Sequence, residues 1–276
     1  MNISINLLWA LAAGLLVEVI VLHFLMGMLE RSGAVRANYL GVDIPVSAGM
    51  SFPITIIVVF ILFALFSCYQ PRYHVFIFGL TAISFLGFID DMLGRRDTLG
   101  FKGHIGELLR GRMTTGGLKA TGGFIIAFFI AFFSSHGMLS ILLNTLLIAL
   151  FTNLLNLFDL RPGRAVKAYL FFLLVILLSA HFQIDYLIYV PLLGAVLWYF
   201  RYDLKARVMM GDAGSNVLGL ALGYYAMIAL PLSMRIGMLV FLIAIHIYTE
   251  KYSLTSTIEK VSFLKWLDNL GRKNWG

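Results

Sequence analysis

Nine apolar runs follow one another along this chain, at roughly residues 3–29, 53–69, 74–93, 118–133, 138–158, 166–182, 186–200, 213–231 and 235–249, with short polar segments between them. A water-soluble domain has too little core to hide so much apolar surface, so these runs must face lipid. Composition agrees: 60% of the 276 residues are hydrophobic and 13% charged, against about 45–50% and roughly 25% in soluble domains. The alternation of a membrane β-barrel is absent. The expected fold is all-α, a polytopic transmembrane helical bundle of about nine spans; several runs fall short of the ~20 residues of an ideal span, so the expectation extends to ten. A soluble enzyme, a secreted disulfide scaffold and a disordered chain are excluded. Cys68, the single cysteine, can form no internal disulfide.

The net charge of +7 would suggest nucleic acid in a soluble protein, but its distribution points to topology and no nucleic-acid partner is expected. With the N-terminus outside, the inward segments are 30–52, 94–117, 159–165, 201–212 and the tail from 250. Together with Lys119 and Lys167 at adjoining helix edges, they hold 19 of the 21 Lys and Arg residues, leaving only Arg72 and Arg235 outside. That asymmetry is the positive-inside rule. Residues 1–29 contain no Lys or Arg and no small-residue cleavage pattern follows, so the first run reads as a retained span. No repeat or linker divides the chain. The expectation is one integral-membrane domain over 1–276, with residues 250–276 as a cytoplasmic amphipathic tail whose Ile258–Leu270 stretch lies as a helix on the inner interface.

In this orientation the polar residues collect on one membrane edge. Asp90 and Asp91 end the third run, Asn153, Asn156 and Asp159 end the fifth, and Gly211-Asp212-Ala213-Gly214-Ser215 opens the eighth. Steps of three each turn back about 60°, so the two amides and the carboxylate share a stripe about 120° wide. Two adjacent acids repel unless a cation lies near. A Gly-Asp-x-Gly-Ser turn is either a helix cap or a loop whose free N–H groups suit an anion. Taken with Lys119 and the basic 94–117 segment, the set suits a Mg²⁺-dependent phosphate reaction at the membrane face.

The order of these segments resembles one family, the polyprenyl-phosphate N-acetylhexosamine-1-phosphate transferases. The resemblance runs from about Ile44 to Gly223 and is carried by Ile44-Pro45-Val46-Ser47-Ala48-Gly49, Asp90-Asp91-x-x-Gly94, Lys119, Asn153-x-x-Asn156-x-x-Asp159 and Gly211-Asp212-Ala213-Gly214-Ser215. It implies a multi-pass protein of the bacterial plasma membrane whose site faces the cytoplasm. The implied reaction is attack of undecaprenyl phosphate on a UDP-sugar, releasing UMP and leaving a lipid-linked sugar that primes an envelope polysaccharide or peptidoglycan-type precursor. By the same resemblance Asp212 and Asn156 would hold Mg²⁺ (or Mn²⁺) and Lys119 a phosphate. Asp90, Asp91 and Asp159 would be catalytic, the vicinal pair by positioning the lipid phosphate or accepting its proton. Asn153, Gly211, Gly214 and Ser215 would line the substrate site, and the resemblance adds a homodimer as an expected assembly.

Two departures temper the resemblance. Where the family continues with an acidic, glycine-rich stretch that reads the nucleotide, this chain has Asp159-Leu160-Arg161-Pro162-Gly163-Arg164. Arg161 and Arg164 either clamp a diphosphate or only enforce topology. The muramoyl branch carries a His-rich loop after its ninth span; residues 250–276 contain no histidine, which favours a simpler UDP-N-acetylhexosamine donor, with His246 and Glu250 either partly substituting for that loop or, the preferred reading, forming a structural pair. The alternative reading is a catalytically silent relative that binds a lipid-linked precursor or regulates envelope assembly. A transporter ranks last, because the polar cluster sits at an edge and not at the midplane.

Overall fold

A computed structural model of the chain describes residues 3–66, 68–94, 111 and 114–272. The basic stretch 95–113, apart from residue 111, lies outside the described residues, as does Trp275. The nine runs are nine long helices: α1 (Ile3–Arg31), α2 (Ser51–Leu65), α3 (Tyr73–Leu93), α4 (Thr115–Ser134), α5 (Met138–Phe158), α6 (Arg164–Ser179), α7 (Tyr186–Asp203), α8 (Asp212–Ala229) and α9 (Leu232–Lys251). Among the described residues six stretches, within or overlapping α1 to α5 and α9, are long and apolar enough to cross a membrane. Helices α6, α7 and α8 are shorter or less apolar.

The all-α expectation misses one element. Between α1 and α2 the chain forms a small antiparallel hairpin, β1 (Val35–Ala37) and β2 (Asp43–Pro45), pairing Val35 with Pro45 and Ala37 with Asp43. The tail also differs from a single helix. It is two short ones, α10 (Leu254–Lys260) and α11 (Ser262–Asn269), broken at the extended Val261.

Helix α8 is the central post of the bundle. Every residue from Ala213 to Met227 is buried, and α8 packs on α5, α3 and α6. Its glycines permit this. A Cβ on Gly219 would lie 2.5 Å from the Thr152 Cα and one on Gly223 2.6 Å from the Ile148 Cα, so α5 and α8 meet backbone to backbone, as a Gly-x-x-x-Gly face allows. Glu18, buried in α1, finds its partner across a helix interface: the Thr55 hydroxyl of α2 donates to its Oε2 at 2.7 Å.

Candidate active site

Four helices deliver the charged residues to one end of the bundle, and the local backbone explains how. Gly87 brings α3 against the start of α8: an added Cβ would sit 2.5 Å from the Ala213 nitrogen. Ser84, one turn earlier, donates to the Ala213 carbonyl at 2.8 Å. Asp91, one turn later on the same face, therefore hangs over the α8 N-terminus. Its Oδ1 accepts from the Asp212 amide at 3.0 Å, and its Oδ2 from the Ala213 amide at 3.2 Å and the Ser47 hydroxyl at 2.6 Å. Arg36 on β1 donates to the Asp91 carbonyl. The anion that fills the α8 N-terminus is thus a side chain of the protein itself, and it caps the helix from α3.

The Ile44–Gly49 loop is held to the same place. Met209 N–H donates to the Pro45 carbonyl at 2.8 Å, and the amides of Ala48 and Gly49 donate to the carbonyls of Met209 and Met210 at 3.0 and 3.1 Å. Ser47 takes the left-handed conformation with φ 62°, which turns its hydroxyl under Asp91. Gly49 and Gly214 touch backbone to backbone; a Cβ on Gly214 would lie 2.6 Å from the Gly49 Cα. Within the Gly211–Ser215 motif, then, Gly214 serves close packing, and the Ser215 hydroxyl is occupied by the Gly211 carbonyl at 3.1 Å. Gly211 makes the turn with φ 69°. Only Asp212 presents a side chain to the site.

Asp90, 100° further round α3, faces Lys119 of α4, its Oδ2 3.3 Å from Nζ. The same ammonium is bonded to Asp212 Oδ2. The Asn156 amide, oriented so that its nitrogen donates to Asp212 Oδ1 at 3.0 Å, accepts from Lys119 with its oxygen at 2.8 Å. Residues from α3, α4, α5 and α8 thus converge on one cation, with Lys119, Asp90 and Asp212 each roughly a fifth exposed. Asn153, one turn before Asn156, is exposed and stands apart from this cluster.

Beside the cluster lies a cavity of about 230 Å³ walled by the hairpin, the 159–162 turn and the 206–212 segment. Asp91, Asp159, Asp203 and Asp212 line it against Arg36 and Arg161. Asp159 is half-buried, with enough protein around its carboxyl that burial pushes it well above the usual carboxylate range, reinforced by the charges of Asp203, Asp212 and Asp91. Arg164 is directed elsewhere. Its Nε and Nη2 form a bidentate pair with Asp268 of the tail, both at 2.9 Å, and Nη1 donates to Thr255 at 2.9 Å. His246 spends its Nδ1 on the Leu242 carbonyl, 2.7 Å away on its own helix.

Sequence reasoning gave no role to Arg36, Ser47, Asp203 or Asp268. Asp203 accepts from the Gly163 amide at 3.0 Å and so fixes the turn after Asp159. No local pattern marks it, since Arg201-Tyr202-Asp203 reads as an ordinary helix end.

The donor set suits a hard divalent ion. Asp212, Asn156 and Asp90 offer oxygens around a single positive charge, and Mg²⁺ takes one or two carboxylates while keeping waters and substrate phosphates. Among the described residues no group of three or more His, Cys, Asp and Glu converges as a metal cage.

Membrane-length helices and a lysine held among carboxylates at the bundle's end define a membrane-embedded protein with a charged site at one edge. The chain belongs to glycosyl transferase family 4, whose model matches residues 73–230, the membrane phosphosugar transferases that the motifs resemble. Two relatives are phospho-N-acetylmuramoyl-pentapeptide-transferases of Clostridium botulinum, from strain Alaska E43 / Type E3 and strain Eklund 17B / Type B. Each is 30% identical over 209 residues, covering 71% of this chain. The chain spans 62% of the length of these relatives.

Proposed function

We propose that this protein transfers a sugar 1-phosphate, of the N-acetylhexosamine class, from a UDP-sugar to a polyprenyl phosphate at the cytoplasmic face of the bacterial membrane, with release of UMP. The observation that carries this reading is the convergence of Asp90, Lys119, Asn156 and Asp212 from four helices, beside a cavity bearing Asp159 and Arg161. The chemistry needs what this arrangement offers. The lipid phosphate is already an anion, so the main barrier is bringing it against a diphosphate. Preorganised positive charge lowers that barrier.

Lys119 binds a phosphate oxygen and screens the approach. Asp90 orients Lys119 and stands next to the incoming lipid phosphate, where it can take that group's remaining proton. Asp212 and Asn156 hold Mg²⁺ (or Mn²⁺), which when bound supplies Lewis-acid screening of the diphosphate. Asp91 positions Asp212 by capping α8. Arg161 reaches the donor's phosphates from the cavity wall, while Arg164 anchors the tail.

All nine helices cross the bilayer in this reading, N-terminus outside and site inside. The positive-inside distribution supports it. The 16 residues of α6 reach only about 24 Å at 1.5 Å each, and α8 is buried within the bundle from Ala213 to Met227.

The test is UMP release by the purified protein with undecaprenyl phosphate, Mg²⁺ and a panel of UDP-sugars. The expected result is lipid- and metal-dependent UMP from one donor, abolished in Asp212→Asn and Asp90→Asn while both proteins still insert. Near-native turnover by Asp212→Asn would refute the site assignment.

A further inference from the structure

The tail after α9 is tied to the cavity and at the same time presents an uncovered apolar face. Its ties are specific. Asp268 of α11 receives the bidentate Arg164 pair and, at 2.8 Å, Arg272 Nη2. Arg272 Nε donates to the Pro162 carbonyl in the cavity wall at 2.9 Å. Lys167, in the first turn of α6, donates to the carbonyls of Leu267 and Asp268 at 3.0 and 2.7 Å. Arg164 and Asp268 are 4% and 9% exposed, so this clamp is a buried fixture. Three ties of the 159–164 turn come from the tail, Arg272 on Pro162 and both Asp268 and Thr255 on Arg164; Asp203 adds another on Gly163.

Among the described residues nothing covers the other side of α11. At 100° per residue, Phe263, Trp266, Leu267 and Leu270 fall within an arc of about 100° whose centre points about 150° away from Asp268. Phe263 and Trp266 are 66% and 59% exposed, and their rings stack on each other. Lys265 and Asn269 occupy the opposite face. The occupant is narrowed by where the strap is held. It leaves α9, a membrane-length helix ending at Lys251, and is pinned at its far end to the first turn of α6. Both attachments lie at the ends of bundle helices, where a bilayer surface runs. Lys251, Lys260 and Lys265 lie along the strap against one exposed carboxylate, Glu259, and Asp268 is neutralised by its own arginines, so the net outward charge is cationic and complements anionic headgroups.

We infer that α11 is a lipid-seated strap: Phe263, Trp266, Leu267 and Leu270 enter the anionic leaflet on the site's side, and Asp268 transmits that seat to the 159–164 wall of the cavity. Asp268 is a positioning residue in this scheme. Which leaflet this is rests on the topology proposed above; the seating itself does not.

The test uses the full-length protein with Cys68→Ala and a single new cysteine, Phe263→Cys, Trp266→Cys or Lys265→Cys, carrying an environment-sensitive fluorophore. Each is reconstituted in nanodiscs of phosphatidylcholine with or without phosphatidylglycerol. Labels at 263 and 266 are expected to be quenched at least threefold more by nitroxide-bearing lipid than the label at 265, and more strongly with phosphatidylglycerol present. Equal quenching at all three positions, or equal access of aqueous iodide to them, overturns the seating. Protection of 263 from both quenchers that depends on protein concentration assigns the face to a second copy and overturns it too. For the coupling, Asp268→Asn is expected to raise the donor KM several-fold with kcat within twofold, and an unchanged KM overturns it. Absence of UMP from the wild type refutes the proposed activity and leaves the quenching result standing.

Discussion

The two adjacent aspartates at the end of α3 should fail in different ways when neutralised. Asp91 accepts three hydrogen bonds and supplies the negative charge at the start of α8. In Asp91→Asn the better amide orientation keeps its oxygen on Ser47 and Ala213 and turns its nitrogen towards the Asp212 N–H. One partly buried backbone donor is then left facing another donor. Losing a bond to a charged group costs about 1.5–3 kcal/mol, and losing the helix-terminal charge a further 0.3–1 or so. The total is about 2–4 kcal/mol, or roughly 4–16 °C in Tm at 2–4 °C per kcal/mol for a chain near this size. Asp90→Asn removes one partner from a lysine that keeps Asp212 and Asn156, at a partly exposed position, and should cost under about 1 kcal/mol. The assay is thermal unfolding of both purified variants in one detergent, followed by intrinsic fluorescence, with UMP release measured alongside. Asp91→Asn should lose both stability and turnover, and Asp90→Asn turnover alone. A wild-type Tm for Asp91→Asn, or equal losses in the two variants, would refute the division of labour.

Gly214→Ala drives a Cβ to 2.6 Å from the Gly49 Cα and 2.5 Å from Met210 Cγ, so it should lower Tm by several degrees and cut the yield of folded protein, whereas Gly237→Ala, which meets open space, should be neutral in the same assay. Asp159 is raised by burial first and then by its acidic neighbours. Its charged form is therefore disfavoured in the folded state, and its contribution falls as pH climbs from the ordinary value near 4 through the raised one. Asp159→Asn should accordingly gain stability relative to wild type between pH 5 and pH 9, and a Tm difference that is flat over this range would contradict the assignment. Asp268 behaves oppositely: burial alone would raise it, but the bonds from Arg164 and Arg272 prevail and hold it below the usual range. The clamp should persist at neutral pH and release as pH falls below about 4, seen as cleavage of the tail by an acid-active protease.

Much of the fold could be read from the sequence because one requirement dominates it: backbone in lipid must satisfy its own hydrogen bonds. Each apolar run therefore had to be a helix, and the ends match within a few residues. The clustering of Asp90, Lys119, Asn156 and Asp212 was legible for the same reason, since charge in such a chain is confined to helix ends or costly interiors. The division of roles was not. Whether Asp90 or Asp91 caps α8 is decided by Gly87 touching Asp212 and Ala213, a contact between residues more than a hundred positions apart. The hairpin escaped notice because its strands are three residues long and are steadied by Met209. Arg164 carried the same local signal as Arg161, and only the distant Asp268 separates an anchor from a cavity-lining side chain.

The central placement of α8 has a consequence for how the protein is made. Helices leave the ribosome in chain order, and α8 is the eighth of nine, yet it ends surrounded by partners synthesised long before it. Its three glycines, Ser215 and Asn216 make it a poor lodger in bare lipid, and it has no lipid-facing side on which to wait. The earlier helices must therefore hold an open berth until it arrives, and the charged centre, which lacks Asp212 until then, is completed only at that late step. Chains stalled before residue 212 would carry Asp90, Lys119 and Asn156 without the residue that joins them, so the proposed site predicts that half-made protein in the membrane is chemically silent.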